Sequence, residues 1–590
     1  MIKSQSSNHP QAPNTTLQTR VGDSVIGDGW WRGLLLLALI LFAYLPSLHN
    51  GFIWDDDLYV THNALLSSWT GLWRIWTEPG AVQQYYPVVF TSFWVERHLW
   101  GLAPMGYHLV NVLLHAGVAV LAWRLLEDLE VPGAWWAAAL FAVHPVHVES
   151  VAWITERKNV LSGVCYLAAL WRCLRAAGCT VSAPTPATHW RAYLPAWGFG
   201  LAALLSKTVT ATLSGAWLLL VWWKRGRLTW RDVFTVLPFV LAGLGLGLVV
   251  MDLEHHRAGA EGVDWTLSLA QRLLIAGRAL WFYAGTLAWP QALTFIYPRW
   301  NVDPTALRWW FYPAAAGVLV SGLWLLRQRW GRGPLTAVLF FCGTLAPALG
   351  FINFYPMRFS FVADHFQYLA SLGLLTLAAA LGTSALRSRP ALGRALGSLL
   401  LALLGLLTWR QQASYRNQET LWQETLAKNP MAWMAHFNLG VIMDKQGRLE
   451  EAIGHYLDAL KQRPDDAQVY NNLGVVLFKQ GKFDEAMREY REALRVNPRD
   501  PATYNNIGNV LVRQEQLDVA IAAYREALRL DPAFAVVHNN LGAILELRGQ
   551  REEALAHYRE ALRIRPDFRQ ARENLQKALM TYSQITNTKQ

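Results

Sequence analysis

Charged and apolar positions divide the chain into two unlike parts near Trp409. Before that point, apolar runs of membrane-crossing length recur near 33–49, 106–126, 133–148, 160–176, 192–206, 208–223, 233–251, 309–326, 334–352, 365–386 and 393–409. Read as helices rising about 1.5 Å per residue, they predict about 11 spans. A further apolar stretch, 269–289, carries Arg272 and Arg278. It reads as re-entrant or embedded without crossing, because a full crossing would put the basic loop Arg327, Arg329 and Arg332 outside; a missed span elsewhere is the alternative that restores the parity. Lys and Arg collect in short cytoplasmic loops. Lys224, Arg225, Arg227 and Arg231 mark one such loop, and Arg387, Arg389 and Arg394 another. With the N-terminus inside, the loop at 50–105 and everything after Trp409 then lie on the non-cytoplasmic side.

Beyond Trp409 the pattern changes to a fixed period. Pro430, Pro464, Pro498, Pro532 and Pro566 stand 34 residues apart. Gly440, Gly474, Gly508 and Gly542, Ala452, Ala486, Ala520 and Ala554, and Tyr456, Tyr490, Tyr524 and Tyr558 keep the same step. This resembles the tetratricopeptide repeat, a helix pair with a small residue at the helix contact and Pro ending the second helix. The spacing predicts a half repeat near Trp422 and Leu426, four full repeats, and a terminal helix near Asp567–Met580. Asn438, Asn472, Asn506 and Asn540 recur two residues before each glycine. Similar asparagines in the repeats of O-linked glucosaminyl transferases grip a peptide backbone. The alternative is a consensus residue that bonds only its neighbours.

The expected fold is therefore all-α. It comprises a polar, disordered, cytoplasmic stretch at 1–29, a polytopic helical membrane bundle at 30–409, and a repeat solenoid at 410–590. Composition agrees, with 53% hydrophobic and 16% charged residues, 30 Trp and 20 Tyr; the aromatic rings suit membrane–water boundaries. The net charge of +11 follows from basic cytoplasmic loops and does not call for nucleic acid, and no phosphate loop GxxxxGK[ST] occurs. Cys165, Cys173, Cys179 and Cys342 have no CxxC or zinc spacing and read as packing residues. The first apolar run lacks a small-residue cleavage site and reads as an uncleaved span.

Candidate chemistry gathers on the external side. Asp55, Asp56 and Asp57 follow a run from Gly33 to Trp54 without one Asp, Glu, Lys or Arg. A carboxylate at the membrane rim, beside Trp54 and Tyr59, is desolvated and suited to proton abstraction; the plain alternative is a solvated acidic loop. The block HPVHVESVAWITERKN (144–159) supplies His144, His147, Glu149, Arg157 and Lys158. Pro145 breaks the helix that would align both histidines on zinc, so a phosphate is the better ligand for this cluster; the plain alternative is a span end with snorkelling basic residues and capping polar groups. Lys207, Arg278, Asp364 and His365 are the remaining ionisable residues at or near membrane depth.

Taken together, FIWDDDLYV, GLAPMGYHLVNVLLH (101–115), HPVHVESVAWITERKNVLSG (144–163), LLSKTVTAT (204–212) and ADHFQYLASLG (363–373) resemble the transmembrane-and-tetratricopeptide-repeat O-mannosyltransferases and their bacterial relatives, of the GT-C class. The resemblance implies sugar transfer from a polyprenyl phosphate in the membrane to an acceptor on the non-cytoplasmic face. It implies Asp55 or Asp56 as the base. His144, His147, Glu149, Arg157, Lys158, Lys207 and Arg278 would hold the donor phosphate or shape the site, with Asp364 and His365 as weaker candidates. Family members differ in their use of a divalent metal, and no metal ligand is assigned. The expected partners are the lipid-linked sugar and a protein or peptide on the solenoid, in a bacterial inner membrane with the repeats in the periplasm. The rival readings are a non-catalytic membrane scaffold and a lipid-linked sugar flippase. No internal repeat of the spans favours the second.

Overall fold

The computed structural model of the chain describes residues 29–256, 266–353 and 355–587. Residues 1–28 of the polar N-terminal stretch lie outside them. The described residues are helical apart from turns and loops, with one isolated bridge between Thr180 and Ala183. They form two compact units. The first comprises 1–293, 301–357 and 362–417, and the second comprises 294–300, 358–361 and 418–590.

Among the described residues, four helices are long and apolar enough to cross a membrane: Pro104–Asp128, Trp230–Leu253, Leu307–Leu326 and Pro390–Tyr415. Shorter apolar helices run Trp30–Ala43, Gly333–Ala348 and Ser371–Ala385. Several expected spans are broken where local chemistry breaks them. The helix Ala134–Ala142 stops before His144-Pro145, since Pro disfavours helical backbone in the residue before it. Pro opens the helices Pro87–Trp100 and Pro104–Asp128, where its missing N–H costs nothing. The segment around Arg272 is one helix, Leu269–Ala288, started by a reciprocal capping box between Ser268 and Gln271. Its Arg272 donates to Gly350 O at 2.8 Å and Asn353 Oδ1 at 2.7 Å.

In the first unit, Pro104–Asp128 packs on Ala134–Ala142 and on Arg157–Ala176, which in turn packs on Leu194–Leu204. The loop at 50–105 carries a packed core of its own. Tyr59, Val60, Leu66, Ile75, Phe90, Phe93 and Tyr107 form a buried cluster with Ile154, which ties the residues around Asp55 to the block that begins at His144.

The second unit is the expected array. Helix pairs run Trp433–Lys445/Leu449–Gln462, Ala467–Lys479/Phe483–Val496, Pro501–Arg513/Leu517–Leu530 and Ala535–Leu547/Arg551–Ile564. Gln418–Lys428 leads in and Arg569–Asn587 closes. The periodic glycine and tyrosine meet: a Cβ on Gly474 or Gly508 would lie 2.5 Å from the ring of Tyr490 or Tyr524. The leading end also takes in two short stretches from earlier in the chain. Asn429 Nδ2 donates to Ile296 O at 3.1 Å, and the rings of Phe295 and Trp422 are 5.5 Å apart. Arg358 lies over Trp433 and pairs with Asp466 at 3.5 Å.

Candidate active site

Asp55 and Asp56 are neighbours with different hydrogen-bond surroundings. Asp56 is fully buried. Its Oδ2 accepts from Ile53 N at 2.9 Å, and its Oδ1 accepts from Thr155 N at 2.8 Å and Thr155 Oγ1 at 2.6 Å. Asp57 turns to Thr61 Oγ1 at 2.9 Å, within a π-type turn Asp57–Thr61. Asp55 Oδ1 is buried and accepts no hydrogen bond. It follows Trp54, a non-glycine residue at φ 50°, a conformation that costs energy and collects at functional sites. Burial pushes Asp55 up to about 6, against the pull of Lys158. Burial, then the adjacent Asp55, pushes Asp56 up to about 8, against its three donors.

The turn after His144 supplies the opposing groups. Glu156 Oε1 pairs with Lys158 Nζ at 2.9 Å, and its Oε2 lies 3.4 Å from Lys207 Nζ. Lys207 also donates to Asn159 Oδ1 at 2.6 Å, and Asn159 Nδ2 donates to Glu156 Oε2 at 2.6 Å. His365 donates its backbone N–H to Glu149 Oε2 at 2.9 Å, and its ring Nδ1 lies 3.1 Å from Glu149 Oε1. Its Nε2 is 4.0 Å from Glu156. Burial alone would raise Glu156, but His365, Lys158 and Lys207 outweigh it and hold the carboxyl down to about 2. The Lys158 ammonium sits 5.6 Å from the ring centres of both Tyr59 and Trp153.

Arg157 is sealed beneath this cluster. Its guanidinium pairs with Glu96, donates to Asn111, and bonds Tyr107 O at 2.9 Å. Asn111 Nδ2 donates to Val151 O at 3.2 Å and Trp153 O at 3.1 Å. The helices Pro87–Trp100 and Pro104–Asp128 thereby fix the turn that presents Thr155 and Glu156.

The sequence candidates separate accordingly. Asp55, Asp56, Glu149, Lys158, Lys207 and His365 come together. His144 Nε2 bonds Leu287 O at 3.0 Å, and its Nδ1 accepts from Val146 N at 3.4 Å. His147 bonds Phe141 O at 2.8 Å and Ser371 Oγ at 2.9 Å. Both rings, like Arg157, have internal partners in place of a facing phosphate. Arg278 lies over Trp309, 4.8 Å from the ring centre. Asp364 is buried at the head of the turn Asp364–Gln367. Sequence reasoning gave no site role to Thr155, Glu156, Asn159, Glu96 or Asn111. The first three lie inside the 144–159 block, and their adjacency to Lys158 was the available signal. Among the described residues, no group of three or more His, Cys, Asp or Glu is arranged for a metal ion.

The solenoid asparagines bond to one another, to a tyrosine of the preceding repeat or to their own helix. Asn506 Nδ2 donates to Asn471 Oδ1 at 2.9 Å, Asn540 to Asn505 at 3.1 Å, and Asn574 to Asn539 at 2.9 Å. Asn438 donates to Met434 O at 2.7 Å, and Asn472 bonds the Tyr456 hydroxyl.

Chemically, the site offers one desolvated carboxylate oxygen free to take a proton, beside a cluster in which every other charge has a partner. Family models of the tetratricopeptide repeat match 445–481, 465–533 and 500–567. The protein O-mannosyl-transferase F38B6.6 of Caenorhabditis elegans is 24% identical over 74% of this chain and 63% of its own. The human protein O-mannosyl-transferase TMTC4 is 25% identical over 72% of this chain and 66% of its own. The chain thus spans a little under two thirds of these curated relatives. The crystal structure of MamA is 23% identical, covering 25% of this chain and 85% of its own, with a TM-score of 0.23. Along about three quarters of its length, this chain is similar to protein O-mannosyl-transferases.

Proposed function

We propose that this chain is a GT-C-type membrane glycosyltransferase that moves a sugar, mannose by analogy with its relatives, from a polyprenyl phosphate to a protein hydroxyl. The observation that carries the reading is the Asp55 oxygen, buried and unbonded at the rim of the membrane half. Asp55 takes the proton of the acceptor hydroxyl as that oxygen attacks the anomeric carbon. The new C–O bond forms as the bond from that carbon to the lipid phosphate breaks, and the electron pair leaves with the phosphate. Asp56 acts through position, holding the loop against Thr155. Glu156, with Lys158, Lys207 and His365, forms a paired electrostatic wall, and Lys158 and Lys207 are the cations available to a departing phosphate. His144, His147, Arg157 and Glu149 shape the turn. The repeats hold the protein acceptor, with the asparagine-bearing face as the platform, and tethering raises its local concentration. The basic loops support an orientation with site and repeats on the periplasmic face of a bacterial inner membrane.

The test is transfer from radiolabelled polyprenyl-phosphate mannose in vesicles carrying the wild-type chain or Asp55→Asn. Transfer is expected with wild type and lost with the variant. Transfer that persists in Asp55→Asn overturns the assignment of the base.

A further inference from the structure

The solenoid carries two histidine pairs that its repeat consensus does not require. His436 Nδ1 lies 3.1 Å from His455 Nδ1, and His538 Nδ1 lies 2.9 Å from His557 Nδ1. The pairs occupy the same positions in the first and fourth repeats, 102 residues (three periods) apart. The middle repeats have Tyr470 with Glu489, and Tyr504 with Ala523, at those positions.

The far nitrogen of the first ring in each pair fixes its chemistry. His436 Nε2 meets Pro430 O at 3.2 Å, and His538 Nε2 meets Pro532 O at 3.1 Å. A carbonyl only accepts, so Nε2 carries the proton; Tyr504 and Arg572 serve the corresponding carbonyls of Pro498 and Pro566 as donors. Nδ1 of His436 and of His538 is therefore a lone pair aimed at the second ring. A histidine whose other nitrogen donates to a backbone carbonyl is the usual form of a metal ligand. Two nitrogens each about 2.0–2.1 Å from a metal and at right angles are about 2.9 Å apart, and at tetrahedral angles about 3.3–3.4 Å. The observed separations sit at the right-angled end.

Carboxylates, each paired with a base, stand beside the second ring in both places. Glu451 and Asp458 flank His455, and Glu553 and Glu560 flank His557, again at equivalent positions. The basic groups facing these sites are already engaged: Arg448 with Glu451, Lys461 with Asp458 at 2.7 Å, Arg525 with Glu553 at 3.0 Å, and Arg563 with Glu560 at 2.6 Å. An open pocket of about 300 Å³, lined by Leu426, Pro430, His436, Asp458 and Gln462, adjoins the first pair.

We propose that the first and fourth repeats each hold a divalent transition-metal ion between two imidazoles. Without metal, one proton on Nδ1 of His455 or His557 closes each pair. On binding, that proton moves to Nε2 of the same ring, and both Nδ1 lone pairs face the ion. Water fills the remaining positions. Two imidazoles at right angles suit copper(II) or nickel(II).

The experiment titrates copper(II) into the full chain in detergent and reads bound copper per chain, together with nitrogen hyperfine structure in the electron paramagnetic resonance spectrum. Wild type is expected to bind two more copper ions than the double variant His455→Gln/His557→Gln, each with two imidazole nitrogens. Each single variant is expected to lose one. These substitutions leave the Pro430 and Pro532 hydrogen bonds in place, and circular dichroism checks that helix content is kept. Equal copper binding by wild type and the folded double variant overturns the proposal and leaves each pair as a simple hydrogen bond. So does a wild-type spectrum without the two-nitrogen pattern.

Discussion

Thr155 holds one oxygen of Asp56 twice, through its backbone N–H at 2.8 Å and its hydroxyl at 2.6 Å. That grip separates two adjacent carboxylates that look interchangeable in the sequence. Asp56 is held by the fold through both oxygens, whereas Asp55 Oδ1 accepts no hydrogen bond. Thr155→Val removes the hydroxyl donor but keeps the backbone one. It is expected to cost about 1 kcal/mol of stability and to slow transfer without abolishing it. Denaturation in detergent and a transfer assay on the same preparation measure both.

Replacing Asp55 by Asn is expected to lower transfer about 10²–10⁴-fold, the usual contribution of a positioned base. Donor binding should remain close to wild type, since the role proposed for the residue is at the acceptor hydroxyl. Initial rates at several donor concentrations separate the two effects.

The raised Asp55 carboxyl also sets a pH profile. The base works ionised, so transfer is expected to rise with pH through about 6. Stability runs the other way. A carboxyl whose folded pKa lies above its unfolded one stabilises fully below the unfolded value of 3.8, and that stabilisation is lost as pH rises through about 6. At pH 8 Asp55→Asn is therefore expected to be more stable than wild type. The gain is at most about 3 kcal/mol, reduced because the side chain is only part-buried. Thermal midpoints at pH 5 and pH 8 test this, the difference between the proteins being larger at pH 8.

Glu156 has the opposite sign. Its depressed pKa gives stability that is present above 4.5 and lost as pH falls toward 2. Glu156→Gln leaves Lys158 and Lys207 facing each other, and breaking such a buried pairing costs about 3–5 kcal/mol. Adding Lys207→Met is expected to recover part of that loss, which a two-variant stability cycle reads directly.

In the repeats, Gly508→Ala drives a methyl to 2.5 Å from the Tyr524 ring. It is expected to cost about 1–3 kcal/mol. Pairing it with Tyr524→Leu should return much of the loss, measured by chemical denaturation.

The repeats were legible almost residue by residue, because a 34-residue period reports packing directly: Gly508 is small because Tyr524 lies on it. In the membrane half, apolar length located the helices but not their breaks at His144-Pro145. The charged motifs named residues that the fold brings together, Lys158, Lys207, Glu149 and His365 among them. Partner choice was not legible, because it depends on contacts far apart in sequence. Arg157 and Lys158 are adjacent, yet one is buried on Glu96 and the other faces Glu156. The asparagine positions were equally silent on whether their amides meet a ligand or each other, a choice set by a partner 35 residues away, as in Asn506 and Asn471.

The leading end of the solenoid is assembled from Thr294–Trp300, Arg358–Phe361 and Gln418 onward. This imposes an order in time as the chain is made. Ile296 and Arg358 are synthesised well before Asn429 and Asp466, which they meet, so the first helices of the array have docking partners waiting when they emerge. A version cut at residue 410 would enter solution with Trp422, Asn429 and Trp433 stripped of those partners. It is expected to fray from that end inward while its last repeats stay folded.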